Sequence, residues 1–96
     1  MVRPRLCRRV RFRPDVTYFK PRGIPLRNLE ESILTIDEFE AVRLSDLERL
    51  SQEECAKKMG ISQSTFNRLV IIARKKITEA IVKGKAIKIE GGNFRF

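Results

Sequence analysis

The chain has 96 residues, of which 42% are hydrophobic, and a formal net charge of +9 without any histidine. The length fits one small domain, and the composition is typical of a globular chain rather than a disordered one. Because imidazole is absent, Ser-His-Asp and Cys-His catalysis and every zinc site that uses histidine are excluded. The two cysteines, Cys7 and Cys55, match no metal-binding spacing. We therefore expect no enzyme, no metal and no cofactor.

The charge is divided into three blocks along the chain. Residues 1–29 hold nine Lys and Arg against one Asp, a sum of +8. Residues 30–54 hold two Arg against nine acids, a sum of −7, and residues 55–96 hold ten Lys and Arg against two Glu, a sum of +8. Two basic blocks indicate a polyanionic partner such as nucleic acid. The alternative is a basic surface that pairs with the chain's own acidic helix.

The first block is expected to form an extended arm that contains strands. Residues 1–25 hold all four prolines of the chain, which argues against a helix, and clusters of Val, Phe and Tyr favour strands. Arginines on such an arm can insert into a narrow minor groove, or they can form the basic outer face of a strand. The arginines of this candidate arm are Arg3, Arg5, Arg8, Arg9, Arg11 and Arg13.

Three helix starts follow, each with a hydroxyl residue as the N-cap. The caps and the residues three positions later are Thr35 with Glu38, Ser51 with Glu54, and Ser62 with Thr65. The first two pairs are capping boxes, and glycines at positions 60 and 84 are expected to end the second and third helices. We predict helices at about 36–46, 52–59 and 63–83, within a domain of residues 26–84.

The third helix carries one apolar stripe of residues at three- and four-residue spacing: Phe66, Leu69, Val70, Ala73, Ile77, Ala80 and Ile81. Ile71, Ile72 and Val82 lie off that stripe and form a candidate partner surface, either an oligomer contact or a seat for the C-terminal segment. That segment, residues 85–96, alternates apolar and polar residues on both sides of a Gly-Gly pair, which predicts a β-hairpin.

The second and third helices have the residue types of a helix-turn-helix, with a small Ala56 at the crossing and a glycine at the turn. In this motif the N-terminal part of the second helix enters the major groove. Amides can pair with adenine and a guanidinium with guanine, so the candidate base contacts are Gln63, Ser64, Asn67 and Arg68. The candidate phosphate contacts are Ser62, Thr65, Arg74, Lys75 and Lys76. The alternative for each is a solvated polar side chain.

The third helix also lacks an acid in its first turn, unlike the other two. An acid there would repel phosphate, and its absence leaves a positive helix end with free backbone N–H groups. The alternative is that Ser62 alone caps the helix adequately.

Nearly the whole chain resembles a known family of small bacterial and archaeal proteins. The resemblance is carried by the stretches RRVRFRPDVTYFKPRGIPL, LTIDEFEAVRLSDLERLSQEECAKKMGISQSTFNRL and ARKKITEAIVKGKAIKIEGG. The family is domain of unknown function 134, or uncharacterised protein family 0251. The resemblance implies DNA binding through a helix-turn-helix like region four of the primary sigma factors, with the recognition helix beginning at Ser62. Two departures from the family pattern are Arg49, where glycine is expected, and Ile71-Ile72, where polar residues are usual.

The fold class predicted from these observations is mainly α, a three-helix helix-turn-helix domain with short N-terminal and C-terminal β-strands. We expect sequence-specific binding of double-stranded DNA, regulation of transcription, and a homodimer on a two-fold site. One alternative is a protein-interaction module that contacts RNA polymerase or another protein of the transcription machinery. Another is RNA binding, for which Tyr18, Phe94 and Phe96 are candidate stacking aromatics. No signal sequence or membrane span is recognised, so the expected location is the cytoplasm.

Overall fold

Each of the three helices begins at the N-cap that the sequence predicts. The computed structural model describes residues 7–96, and α1 spans Ile36–Val42, α2 Gln52–Met59 and α3 Gln63–Lys83. The hydroxyls of Thr35 and Ser51 accept hydrogen bonds from the third residue of their helices, and both capping boxes are complete. The Ser62 hydroxyl caps α3 in the same way, by accepting from the Thr65 backbone N–H. Local hydrogen-bonding chemistry therefore sets where the helices start.

The first helix ends in a wider turn than the sequence indicates. The α-helical part stops at Val42, and Arg43–Leu47 form a π-helical turn in which the Glu48 N–H donates to the Arg43 carbonyl at 2.9 Å. Arg49 follows with a φ of 60°, in the left-handed region. A tight turn at Gly60, with φ 69°, then joins α2 to α3. The two helices therefore follow each other with only Gly60, Ile61 and Ser62 between them.

Within residues 7–96, five short strands form two separate sheets: β1 (Arg8–Arg9), β2 (Tyr18–Phe19), β3 (Glu31–Leu34), β4 (Ala86–Ile89) and β5 (Phe94–Arg95). In the three-stranded sheet, β4 lies between β2, which is antiparallel to it, and β3, which is parallel to it. A parallel pair requires a crossover connection, and the three helices provide it. The second sheet is the parallel pair β1 and β5, with Arg8 opposite Phe94 and Arg9 opposite Arg95.

The predicted C-terminal hairpin of residues 85–96 is not formed. Both edges of β4 are already occupied by β2 and β3, so β5 cannot pair with it and lies beside β1 instead. The segment between them packs on the start of α1, where the Ile36 N–H donates to the Gly91 carbonyl at 3.0 Å. Residues 1–25 were expected to form an arm separate from the helical domain and the C-terminal segment. Strands β1 and β2 instead both belong to sheets that contain C-terminal strands.

The core consists of two clusters that meet on α3. One lies among the three helices and contains Phe66 and Met59, which are completely buried. The other lies between α3 and the three-stranded sheet and contains Leu34, Ala73 and Ile89. Ile81, which the stripe included, is instead 73% exposed. Because α3 contributes to both clusters on one side, its opposite side is left open to solvent. The architecture is a small α-rich unit with short strands.

Candidate nucleic-acid interface

The first turn of α3 presents a positive helix end without a compensating acid. The Ser62 hydroxyl accepts from the Thr65 N–H at 3.1 Å and donates to the Thr65 hydroxyl at 2.8 Å. Both α1 and α2 carry two acids in their first turn, whereas α3 carries none. Aligned peptide dipoles make this end attractive to anions. The first turn of α3 is thus electrostatically different from the starts of the other helices.

Three of the four candidate base-contacting residues are exposed at this end. Gln63, Ser64 and Arg68 lie on the surface, with Ser64 and Arg68 one turn apart in the same row. Asn67 is half-buried, and its side-chain carbonyl accepts a hydrogen bond of 3.1 Å from the Gln52 amide on α2. Asn67 therefore braces α3 against α2 with one end of its amide, and its NH₂ group is the part left for another partner.

Two of the residues predicted to contact phosphate form ion pairs with acids of this chain. The Arg74 guanidinium donates to both Asp46 carboxylate oxygens at 3.1 and 2.7 Å and to the Ser45 hydroxyl at 3.0 Å. The Lys76 ammonium donates at 2.7 Å to the buried Glu38 carboxylate. Both cations pair with acids of the α1 region, and their assignment to phosphate stays a prediction that would require these pairs to open or to share the cation. Lys75, between them, is exposed.

The pair of Arg74 and Asp46 fixes the charge of both partners. The hydrogen bond from Arg74 lowers the pKa of Asp46 below its ordinary 3.8, and the same bond raises the pKa of Arg74. Asp46 is therefore an anion at any pH near neutrality. The pair links the π-helical turn after α1 to the middle of α3 and orients the two elements.

The predicted basic arm contains the short strand β1 and is fastened to the fold. The Arg8 guanidinium donates to the buried Asp37 carboxylate at 2.9 Å, and Val10 is 2% exposed. Arg9, Arg11 and Arg13 are exposed. Arg9 belongs to β1, whereas Arg11 and Arg13 follow β1 outside any strand of residues 7–96, so the basic strand face and the contact with the minor groove both stay predictions. Arg3 and Arg5 lie outside the described residues.

Buried carboxylates of α1 hold that strand in place. Asp37, Glu38 and Glu40 are at most 7% exposed, and each accepts at least two hydrogen bonds. Glu40 receives the Arg11 backbone N–H at 3.0 Å and the Arg43 guanidinium at 2.7 and 2.9 Å. Acids of the middle block thus neutralise some cations of both basic blocks. This agrees with the alternative interpretation, in which the basic surface pairs with the chain's own acidic helix.

The candidate partner surface is exposed but does not form one patch. Ile71, Ile72 and Val82 are 54%, 48% and 77% exposed, so none of them seats the C-terminal segment. Val82 lies eleven residues beyond Ile71, about 16 Å along the helix axis. Ile71 and Ile72 are neighbours just after the exposed residues of the first two turns. They stay a predicted partner surface, whereas Val82 is separate from it.

The cysteines differ in environment and are not joined. Cys7 is an exposed free thiol, and Cys55 is a buried free thiol in the helical core. Burial raises the pKa of the Cys55 thiol, which keeps it neutral. Cys55 therefore acts as a small apolar core residue.

Within residues 7–96, no three Cys, Asp or Glu side chains come together in a way that suits a metal ion. No helix in the same range is long and apolar enough to cross a membrane.

Two residues of the interface were missed by sequence reasoning. Arg95 lies on β5 opposite Arg9. The sequence shows its alternation with Phe94 and Phe96, which predicts a strand, but it does not show that this strand pairs with an N-terminal one. Gln52 holds Asn67 in place. Its position one residue after an N-cap carries no signal for that contact, because the contact depends on how α2 and α3 cross.

Comparison with known proteins places the whole chain in one family. A family model described as "Protein of unknown function DUF134" matches residues 1–96. A "UPF0251 protein" of Desulforudis audaxviator is 58% identical over 96 residues, which are all of this chain and 63% of the relative. One of Moorella thermoacetica is 55% identical over 98% of this chain and 63% of its own length.

A relative from Caldanaerobacter subterraneus subsp. tengcongensis, also a UPF0251 protein, is 59% identical over 99% of this chain and 80% of its own length. The chain thus spans less than two thirds of the first two relatives. No solved structure gives a significant match. The full-length family match and the identities above one half show that the chain belongs to the DUF134 family.

Proposed function

We propose that this protein binds double-stranded DNA through α2 and α3, used as a helix-turn-helix, and that it regulates transcription. The observation that carries the proposal is the first turn of α3. It is a positive helix end with no acid, and Gln63, Ser64 and Arg68 are exposed on it. Helix-turn-helix proteins place this part of the second helix in the major groove. There an Arg pairs with guanine, and amides pair with adenine.

The packing beneath the site supports this use of the helix. Ala56 is 4% exposed, and its carbonyl accepts the Ile61 N–H at 3.0 Å across the turn. Phe66 and Leu69 on the inner side of α3 are buried in the helical cluster. A rigid pair of helices holds the exposed side chains in one arrangement, which direct reading of base edges requires. The two free thiols are compatible with a cytoplasmic location.

The stacking aromatics expected of an RNA-binding surface are committed to contacts within the protein. The Tyr18 hydroxyl donates to Glu31 at 2.7 Å, and Phe94 packs against Phe96 with ring centroids 5.2 Å apart. The Arg13 guanidinium lies 4.1 Å from the centroid of the Phe96 ring. Single-stranded RNA is read by bases that stack on open ring faces. The Arg13 contact covers one face of the Phe96 ring, which weakens this candidate for stacking on RNA bases.

Selection from a pool of random duplexes at a fixed salt concentration tests the proposal directly. A two-fold symmetric motif is the expected result, since a homodimer of small modules reads two half-sites. Competition with an RNA duplex of the same length is the control for shape and charge alone. Recovery of a featureless pool, or stronger binding to the RNA, would overturn the proposal. A protein-interaction module that docks through Ile71 and Ile72 would give this featureless outcome.

Substitution of Arg68 separates base reading from general attraction to DNA. Arg68→Ala is expected to weaken binding to the selected duplex by about 1–3 kcal/mol, with a much smaller effect on a shuffled duplex. Arg22→Ala removes the same charge from an exposed position before β3 and is the matched control. The measurement is fluorescence anisotropy at one salt concentration. Equal losses for Arg68→Ala and Arg22→Ala would refute the assignment of Arg68.

A further inference from the structure

Four arginines gather on one side of the β1 and β5 pair. Arg9, Arg11, Arg13 and Arg95, here named the arginine patch, line a surface depression of about 530 Å³ together with Val10 and Phe96. The depression has no acidic side chain in its lining. This concentration of positive charge is separate from α3 and comes from both ends of the chain.

The backbone beneath the patch is held by specific bonds. The Val10 N–H donates to the Arg95 carbonyl at 2.9 Å, which continues the β1 and β5 pairing. The Arg11 N–H donates to the buried Glu40 carboxylate at 3.0 Å. Arg8 pairs with the buried Asp37 and Val10 is buried, whereas Arg9, Arg11 and Arg13 are exposed. The backbone of the patch is therefore held in place without a ligand, so binding has to order the arginine side chains but not the segments that carry them.

The charges of the patch repel one another in the free protein. Arg9 and Arg95 are direct partners in the strand register, and like charges in that position are destabilising. Of the salt bridges found within residues 7–96, none involves a patch arginine. Arg8, Arg43 and Arg74, by contrast, are all paired with acids. An anion that bound here would relieve repulsion that the fold itself leaves uncompensated.

The patch begins beside the turn that leads into α3. A Cβ atom built on Gly60 would lie 3.6 Å from Nε of Arg9, so this guanidinium rests against the turn between α2 and α3. The exposed start of α3, at Gln63, follows three residues after Gly60. One elongated polyanion can therefore meet the start of α3 and the near end of the patch together.

We infer that the arginine patch binds backbone phosphates of the same DNA duplex that α3 reads. This inference rests on the proposed function and assigns the N-terminal strand a different role from insertion into the minor groove. Guanidinium groups match phosphate oxygens in geometry and stay charged at every accessible pH. Contacts of this kind position a protein on DNA and add affinity without sequence preference.

The salt dependence of DNA binding tests the inference. The double variant Arg11→Gln/Arg95→Gln is compared with wild type on a mixed-sequence duplex of about 24 base pairs, over roughly 50–250 mM KCl. The slope of log affinity against log salt is negative, and each lost phosphate contact makes it shallower by about 0.9. The double variant should therefore have a slope that is shallower by about 2. The charge-matched control Arg22→Gln/Arg27→Gln, at exposed positions before β3, should leave the slope nearly unchanged.

Two further double variants distinguish a loss of phosphate contacts from a folding defect. Arg11→Gln/Arg13→Gln leaves β5 untouched, and Arg11→Lys/Arg95→Lys keeps the charge and should keep most of the slope. Thermal unfolding checks each variant before binding is measured. If wild-type protein binds the duplex, and Arg11→Gln/Arg95→Gln and Arg11→Gln/Arg13→Gln both keep the wild-type slope, the inference about the patch is overturned while the proposed function stands. If wild type binds no duplex, the proposed function fails as well.

Discussion

Arg49 adopts a backbone conformation that suits glycine, with a φ of 60°. For an L-residue other than glycine, this region costs about 1–2 kcal/mol. Glycine, which the resemblance to the family predicted at this position, would adopt this conformation without that cost. Arg49→Gly should raise the free energy of unfolding by about 1 kcal/mol, since part of the gain is offset by the greater freedom of glycine in the unfolded chain. Urea denaturation measures the change.

Arg49→Ala is the matched control for that substitution. Alanine removes the same side-chain charge but keeps the Cβ atom and therefore the strain. If Arg49→Ala stabilises the protein as much as Arg49→Gly, the gain comes from the charge and the explanation by backbone conformation is wrong.

Gly92 is required by space as well as by conformation. Its φ is 101°, and an added Cβ would overlap the Asp37 carboxylate and lie 2.8 Å from Thr35 Cβ at the start of α1. Gly92→Ala should therefore lower the free energy of unfolding by about 2–3 kcal/mol. Gly91→Ala is the control, with φ 72° and open space around the added atom, and should cost only about 1 kcal/mol. If both variants lose the same free energy of unfolding, the atoms of α1 near Gly92 can move aside for a Cβ atom at little cost.

At the scale of elements, the buried Glu40 couples three parts of the chain. It is completely buried and receives hydrogen bonds from the Arg11 backbone and the Arg43 side chain. Glu40→Gln leaves the Arg43 guanidinium, which is 15% exposed, without its closest counterion. We expect a loss of about 3 kcal/mol in the free energy of unfolding and faster hydrogen exchange at the Arg11 amide.

Glu48→Gln provides the comparison for the buried pair. Glu48 meets the same guanidinium at 3.4 Å but is half exposed, so its loss should cost less than about 1 kcal/mol. It should also leave the Arg11 amide protected. Unchanged exchange at Arg11 in Glu40→Gln would refute the claim that Glu40 anchors the N-terminal strand.

The helices could be predicted from the sequence because their signals are local. The hydroxyl of Ser51 and the carboxylate of Glu54 lie within one turn, and the cap depends on nothing outside that turn. Strand pairing is different, since Arg9 and Arg95 meet only after the whole chain has folded. The hairpin prediction failed for this reason: alternation identifies a strand but not its partner. Likewise, the ion pairs of Arg74 and Lys76 with Asp46 and Glu38 could not be predicted, because these acids are distant in the sequence.

At the scale of the whole molecule, the three charge blocks have two different uses. Acids of the middle block pair with Arg8, Arg74 and Lys76 and so tie both basic blocks to α1 and the turn after it. The arginine patch and Arg68 at the start of α3 are among the cations of residues 7–96 that no salt bridge pairs with an acid. The acidic block therefore compensates only part of each basic block, and these unpaired arginines lie on the proposed DNA-binding surface.

The same distribution predicts that DNA affinity is nearly independent of pH between 6 and 8. No histidine is present, and the shifted groups move away from neutrality. The pKa of Asp46 is lowered by Arg74 and that of Glu79 by Lys83, so both pairs persist at neutral pH and are lost only as the pH falls through these lowered values. The Glu31 hydrogen bond raises the pKa of Tyr18 and burial raises that of Cys55, so both stay neutral below pH 8. Measured at constant ionic strength, the dissociation constant should change by less than about twofold across this range. A change of about tenfold would mean that a group outside those considered titrates in the interface, because one full charge interaction is worth about that factor.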